Sequence, residues 1–258
     1  MSLRADILLV EQGLCESRSQ AQRLIMAGKV RLGPDRVIRK ASEGVPEGAQ
    51  LTVDQPCPYV SRGAYKLLPA LDRFLPVLPP NCVVLDIGAS TGGFTDLLLQ
   101  RGAVRSYAVD VGHGQLHYRL RRDKRVVVLE KVNARALSSR EIPELADILV
   151  ADVSFISLRK VLPACAVFLR AEGFAFTLVK PQFEARRDEV DRGGVVRNEA
   201  VRSRCLAEIC AFAGRTLEWT CIGSEPSPIT GPKGNHETVA VFRGRRPSGS
   251  HPASAAAG

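Results

Sequence analysis

Val83-Val84-Leu85-Asp86-Ile87-Gly88-Ala89-Ser90-Thr91-Gly92-Gly93-Phe94-Thr95 is an apolar strand that breaks into a Gly/Ala/Ser loop and resumes as a helical pattern from Phe94 to Gln100. A strand–loop–helix of this kind lets a ligand lie against bare backbone at the carboxyl end of a parallel sheet. The spacing is not G-x-G-x-x-G. Gly88-x4-Gly93 is followed by Phe94, so no Lys stands where a P-loop would hold a phosphate. A second strand, Ser106 to Val109, ends in Asp110, where an acidic side chain suits ribose hydroxyls. Together these features point to a nucleoside ligand without a bound pyrophosphate, of which S-adenosylmethionine is the commonest.

Around this segment the chain alternates strand and helix patterns, the signature of a doubly wound α/β domain. Expected strands are Val83–Ile87, Ser106–Val109, Val126–Leu129, Ile148–Ala151, Phe174–Val179, Leu217–Ile222 and Thr238–Phe242. With 258 residues the chain has room for this domain and a smaller one. The division expected is a small module at 1–55, a proline-stiffened linker at 56–60, the α/β domain at 61–246 and a low-complexity, disordered tail at 247–258.

The small module reads as a helix from Arg4 to Gln12, then a second from Ser17 to Ala27 with Ser17 as N-cap and Gly28 as stop. A short strand, Lys29 to Leu32, a turn at Gly33-Pro34-Asp35 and a closing strand, Ala49 to Val53, follow. Arg18, Arg23, Lys29 and Arg31 lie on or just after the second helix. Such a run can be a solvated face or a polyanion grip. The net charge of +9 favours a polyanionic partner without requiring one.

No apolar run reaches the length of a membrane span, and the N-terminus lacks the apolar core of a signal peptide. Seven cysteines form no C-x-x-C pair, and the odd number argues against a complete disulfide framework. Buried free thiols in a reducing cytoplasm are expected. His113 and His117 would share a helix face, but nothing completes a ligand set, so no metal is expected.

The order Arg4-Ala5-Asp6-x-x-Leu9, Gly13, Ser17-Arg18-x-x-Ala21, Ile25, Gly28-Lys29-Val30 resembles the S4 RNA-binding domain. The resemblance implies a small α+β module that docks on structured RNA through phosphate contacts, with Arg4, Arg18, Arg23, Lys29 and Arg31 as the gripping residues. Four ionisable residues fall where the α/β fold places working groups: Lys66 ahead of the first strand, Asp152 and Lys180 at strand ends, and Glu237 at the opening of the last strand. Each alone has an ordinary structural reading as a cap or a solvated charge. In their order around the Gly88 loop they resemble the Lys-Asp-Lys-Glu tetrad of FtsJ-like RNA 2′-O-methyltransferases. With the S4-like module in front, the chain from about Leu3 to Phe242 resembles the TlyA family, an older label for which is hemolysin A.

The resemblance implies a Rossmann-like domain with a mostly parallel seven-stranded sheet, S-adenosylmethionine as cofactor and ribosomal RNA or ribosomal subunits as partner. The expected activity is ribose 2′-O-methylation at cytidine. The family pattern carries cofactor binding to Asp86, Gly88, Ser90, Gly92, Gly93, Phe94 and Thr95, with Asp110 on the ribose. Asn133 is a candidate for the adenine and Gln115 a weaker one; Asn133 could equally form an Asx-turn. Lys180 is expected as base or alkoxide stabiliser, Lys66 as the neighbouring positive charge, Asp152 as the group orienting Lys180, and Glu237 as steering Lys66 or the ribose. Competing readings are a non-catalytic RNA-binding or ribosome-assembly factor and a membrane-active hemolysin. The intact glycine loop and tetrad stand against the first, and the lack of an apolar span and secretion signal against the second.

Overall fold

The computed structural model describes residues 2–33, 36–46, 48–53 and 57–244. The chain divides into two compact units after Pro58. In the first, β1 (Ser2–Arg4) leads into α1 (Ala5–Glu11) and α2 (Arg18–Met26), then β2 (Val30–Leu32), β3 (Arg36–Val37), β4 (Gly44–Pro46) and β5 (Leu51–Val53). Strand β1 pairs antiparallel with β4, and β3, β2 and β5 form a three-stranded antiparallel sheet. The Ser17 hydroxyl accepts from Gln20 N at 3.3 Å, the N-cap expected from sequence. Ala5, Leu9, Ala21, Ile25, Val30, Ile38 and Val45 make the core, and each is essentially fully buried. Burying Leu9 or Ile25 stabilises the unit by roughly 1.5–3 kcal/mol apiece. Two expectations shift. Arg4 belongs to β1 rather than to the first helix, because it pairs with Gly44, and the closing strand begins at Leu51 instead of Ala49. Pro34 and Asp35 of the expected turn, and the tail at 247–258, lie outside the described residues.

The second unit runs α3 (Ala64–Phe74), β6 (Val83–Ile87), α4 (Gly93–Gln100), β7 (Arg105–Asp110), α5 (Tyr118–Arg121), β8 (Val126–Glu130), β9 (Ala146–Ala151), α6 (Leu158–Ala166), β10 (Leu169–Val179), α7 (Pro181–Glu184), α8 (Glu199–Thr216), β11 (Thr220–Pro226) and β12 (Thr238–Arg243). Its sheet has the order β11-β12-β10-β9-β6-β7-β8. All pairings from β10 to β8 are parallel, and β12 runs antiparallel to both of its neighbours. The strand order reverses between β6 and β9, which opens a crevice above their carboxyl ends. Apolar clusters fill both faces, one under α6 and α8 and the other under α3 and α4. That double coverage explains why β6 is buried at every position and reads as an apolar run interrupted only by Asp86.

Several sequence expectations are corrected here. The strand placed at Leu217–Ile222 begins at Thr220 and ends at Pro226, because α8 continues to Thr216 and Leu217 is its C-cap. Strand β10 begins at Leu169, with a register shift before Phe174. His113 and His117 share no helix face, since His117 is the N-cap of α5 and His113 precedes it. The thiols are not uniformly buried. Cys82 and Cys165 are buried, and burial pushes both up to about 12, but Cys221 is exposed with its Sγ 3.1 Å from Cys210 Sγ.

Candidate active site

The strand register assembles the site. Ile87 and Thr177 both pair with Ala151, so Gly88, Asp152 and the end of β10 arrive at one edge of the sheet. Val179 pairs antiparallel with Thr238, which sets Lys180 beside Glu237. Because β12 runs against the other strands, its first residues, and not its last, reach that edge. Lys66 comes from the first turn of α3, whose approach is fixed by Val60 N donating to the buried Asp96 carboxylate at 2.7 Å.

Four side chains meet there. Lys180 Nζ lies 2.6 Å from Asp152 Oδ1 and donates to Ser154 Oγ at 2.8 Å. Lys66 Nζ lies 2.8 Å from Glu237 Oε2 and 3.6 Å from Asp152 Oδ2, so Asp152 touches both ammonium groups. The side chains of Lys66, Lys180 and Glu237 are 11%, 7% and 0% exposed, and Asp152 is the most open of the four at 22%. Burial alone would depress the Lys66 pKa, but Asp152 and Glu237 outweigh it and hold the amine above the ordinary lysine value. Gly231 presses against the Glu237 carboxylate so closely that any side chain there would displace it.

Beside this cluster is a cavity of about 490 Å³, lined among others by Gly88, Ser90, Asp110, Asn133, Asp152 and Phe155. The size is within the range of small-molecule and cofactor sites. Gly88 has φ +82°, and a Cβ there would sit 2.5 Å from the Asp152 carbonyl oxygen, so β6 and β9 can end side by side only with glycine at this point. Asp110 is held rigidly, accepting from Ser90 N at 2.8 Å and from Gly112 N at 2.7 Å. Asn133 lines the cavity and also accepts from Arg135 N at 3.0 Å, so the Asx-turn and the ligand-facing position coexist. Gln115 lines the same cavity and accepts from Ser90 Oγ at 3.3 Å.

The remaining loop residues divide. Gly93 and Phe94 border a second hollow of about 330 Å³ shared with Ser61, Arg62, Ser90 and Asp152. Gly92 borders neither hollow. Thr95 is fully buried and turns away from both; its amide and hydroxyl donate to Asp86 Oδ2 at 3.1 and 2.6 Å. Asp86 borders the second hollow, 1% exposed, with Oδ1 lacking any hydrogen-bond partner among the described residues. Burial pushes its carboxyl up to about 7 against the pull of the Thr95 bonds.

Four features of the site have no local sequence signal. Ser154 is a second partner of Lys180. Phe155 stands 92% exposed at the cavity rim with φ +65°, a conformation unusual for a bulky residue, and its ring is 5.5 Å from that of Phe183. Glu184 joins the Lys180 segment to the loop after β9, accepting from Ser157 Oγ and Leu158 N. Glu130 accepts from Gly114 N, Gln115 N and the Arg121 guanidinium, folding the loop that carries Gln115 against the end of β8. Helix α6 begins only at Leu158, with Ser157 as N-cap, so Asp152 caps no helix.

In the first unit, Arg4 and Arg18 converge on Asp6, whose side chain is fully buried; Arg4 Nε is 2.9 Å and Arg18 Nη2 3.1 Å from it. Arg23 is exposed and Lys29 and Arg31 are half-buried. The Arg4 guanidinium, helped by Arg18 and Gln22, holds the Asp6 carboxyl well below the usual carboxylate range despite burial. In the second unit, Arg121 is engaged with Glu130 and Arg125 with Asp123.

The FtsJ-like methyltransferase family matches residues 59–244 and the S4 domain family residues 3–51. The 16S/23S rRNA (cytidine-2′-O)-methyltransferase TlyA of Mycobacterium tuberculosis is 46% identical over 237 residues, covering 91% of this chain and 87% of that one. Hemolysin A of Brachyspira hyodysenteriae is 41% identical over 249 residues, covering 93% and 99%. A Streptococcus thermophilus structure solved under the hemolysin label superimposes with a TM-score of 0.73 at 40% identity, covering 95% of this chain and 89% of that chain. The N1-methyltransferase of Burkholderia thailandensis with bound S-adenosylhomocysteine shares the fold alone, with a TM-score of 0.50 at 21% identity over 72% of this chain and 79% of that chain. The two family matches and the 46% identity across most of both chains put this chain in the TlyA family of methyltransferases, FtsJ-like in its second unit.

Proposed function

We propose that the protein transfers a methyl group from S-adenosylmethionine to a ribose 2′-hydroxyl of ribosomal RNA, at cytidine. The observation that carries this reading is the meeting of Lys66, Asp152, Lys180 and Glu237 at one sheet edge beside a cavity of nucleoside size. The cavity suits such a cofactor, with a rigid carboxylate at Asp110 for ribose hydroxyls, Asn133 for a base edge and bare backbone at Gly88. Relatives named as rRNA cytidine-2′-O-methyltransferases support the substrate, and the S4 domain supports an RNA partner.

S-adenosylmethionine supplies a methyl group already activated on a sulfonium, so the protein's work is to align and deprotonate the hydroxyl. In this reading Lys180 Nζ accepts the hydroxyl proton or balances the charge that grows on the oxygen. Asp152 and Ser154 aim that amine. Lys66, held cationic by its two carboxylates, adds fixed positive potential, and Glu237 keeps Lys66 in place. Phe155 offers an exposed aromatic face at the cavity rim for a base lifted out of its stack.

The deciding experiment is tritium transfer from labelled S-adenosylmethionine to ribosomal subunits and to free rRNA, beside the Lys180→Ala protein. Label fixed in RNA by the wild type alone, with cofactor affinity equal in both proteins, is the expected result. A Lys180→Ala protein that binds the cofactor and methylates at full rate would remove Lys180 from the chemistry. Cofactor binding without label in any RNA would favour a non-catalytic RNA-binding role. No described helix is long and apolar enough to cross a membrane, and nothing in the site calls for one.

A further inference from the structure

Glu184 lies four residues beyond Lys180, at the end of the short helix that Lys180 caps. Its carboxylate is turned inward. Oε2 accepts from Ser157 Oγ at 2.6 Å and Oε1 from Leu158 N at 2.8 Å. Burial raises the acid above the ordinary carboxylate value, and those two bonds pull the other way. Leu158 N is one of the amides that the start of α6 cannot satisfy within the helix, so Glu184 completes a cap that Ser157 begins.

Between the last residue of β9 and that cap run Asp152 to Ile156. This loop holds Asp152 and Ser154, the two groups that contact Lys180 Nζ, at 2.6 and 2.8 Å. It also holds Phe155 at φ +65°, a backbone state that persists only where surrounding contacts enforce it. One end of the loop is fixed because Ala151 is paired in the sheet with Ile87 and Thr177. The other end is fixed by Glu184, which belongs to the same short segment as Lys180.

We propose that Glu184 is a positioning residue for methyl transfer: it clamps the Asp152–Ser157 loop to the Lys180 segment and so fixes Lys180 Nζ against Asp152 and Ser154. The inference rests on the reading of Lys180 as the acting amine. Nothing in it requires Glu184 to touch substrate or cofactor. Its effect is geometric, and small displacements at a reacting centre cost rate steeply.

The test compares wild type with Glu184→Ala and Glu184→Gln in the full chain. Hydrogen exchange over residues 152–158 reads the clamp directly and needs no activity. Steady-state methyl transfer against pH reads its consequence. Glu184→Ala should exchange faster over this segment, lose about 10- to 100-fold in kcat, and shift the pH at which the rate rises, while the KM for RNA stays within about twofold. Glu184→Gln keeps an acceptor for Leu158 N–H and should recover most of both properties. If Glu184→Ala does not fold, Ser157→Ala removes one of the two bonds and should show the same changes in smaller measure. Folded variants with unchanged exchange and unchanged kcat overturn the proposal. So does a Glu184→Gln protein as slow as the alanine variant with its pH profile in place. If the wild type fixes no label in RNA, the methyltransfer reading falls, and the exchange rates of 152–158 still decide for or against the clamp.

Discussion

Lys66 Nζ sits 2.8 Å from Glu237 Oε2, and the Glu237 carboxylate is completely shielded from solvent. Neither residue is near the other in sequence, and the pair ties α3 to the start of β12. Removing one partner of a buried pair leaves an uncompensated charge. Glu237→Gln should therefore destabilise the second unit by on the order of 3 kcal/mol and leave the Lys66 ammonium with Asp152, 3.6 Å away, as its remaining carboxylate. Denaturant unfolding measures the first effect. Methyl-transfer rates measure the second, expected as a kcat loss of about tenfold or more with cofactor affinity preserved. Unchanged stability and rate would show that the pair is dispensable.

Asp86 makes stability depend on pH in a direction opposite to most carboxylates. Its folded pKa is raised from 3.8 to about 7 by burial. The stabilisation it contributes is therefore fully present below pH 3.8, declines as pH rises, and is lost above about 7. Asp86→Asn keeps an acceptor for Thr95 and removes the titration. Thermal unfolding of wild type should fall relative to Asp86→Asn between pH 5 and pH 8. Parallel curves across that range would contradict the assignment.

Phe155→Ala should weaken RNA engagement about tenfold or more, the magnitude of a lost base–aromatic stack, with little change in protein stability. The side chain is 92% exposed, so little packing is lost when it is truncated. Titrating target RNA under single-turnover conditions measures this. Identical RNA affinity in the two proteins would exclude a base-stacking role.

Asp6 carries a prediction for the first unit. Its folded pKa is depressed, so its stabilisation is present above the ordinary aspartate value of 3.8 and is lost as pH falls. Asp6→Asn should release Arg4 and Arg18, flatten that acid limb, and lower affinity for structured RNA. RNA-binding isotherms at two salt concentrations detect it, because phosphate contacts set the salt slope. An unchanged slope would place Arg4 and Arg18 outside the RNA interface.

The α/β architecture was legible because β6 to β9 are short apolar runs bounded by glycine, aspartate or turn residues, and the structure reproduces their order. Strand β11 is hard to place from sequence because Leu217 and Trp219, apolar and buried just past the end of a helix, mimic a strand, whereas Gly223 and Pro226 dilute the true one. Asp152, Lys180 and Glu237 sit at strand termini that are visible in sequence, whereas Lys66, on a helix, joins them only through the resemblance to the FtsJ-like tetrad. Ser154 and Glu184 could not be singled out, since their importance comes from partners 26 and 27 residues away in the chain. The family pattern carries cofactor binding to Thr95 as well. In the structure it faces inward and serves Asp86.

The reversed direction of β12 has a consequence for when the protein can first act. Glu237 is delivered by the start of the last strand, and that strand lies between β11 and β10, inside the sheet. During synthesis the earlier strands emerge first, yet the ammonium of Lys66 has only Asp152 until β12 brings Glu237, its closer carboxylate partner. A nascent or prematurely released chain lacking the last strand is left with an open sheet edge and an unfinished active site.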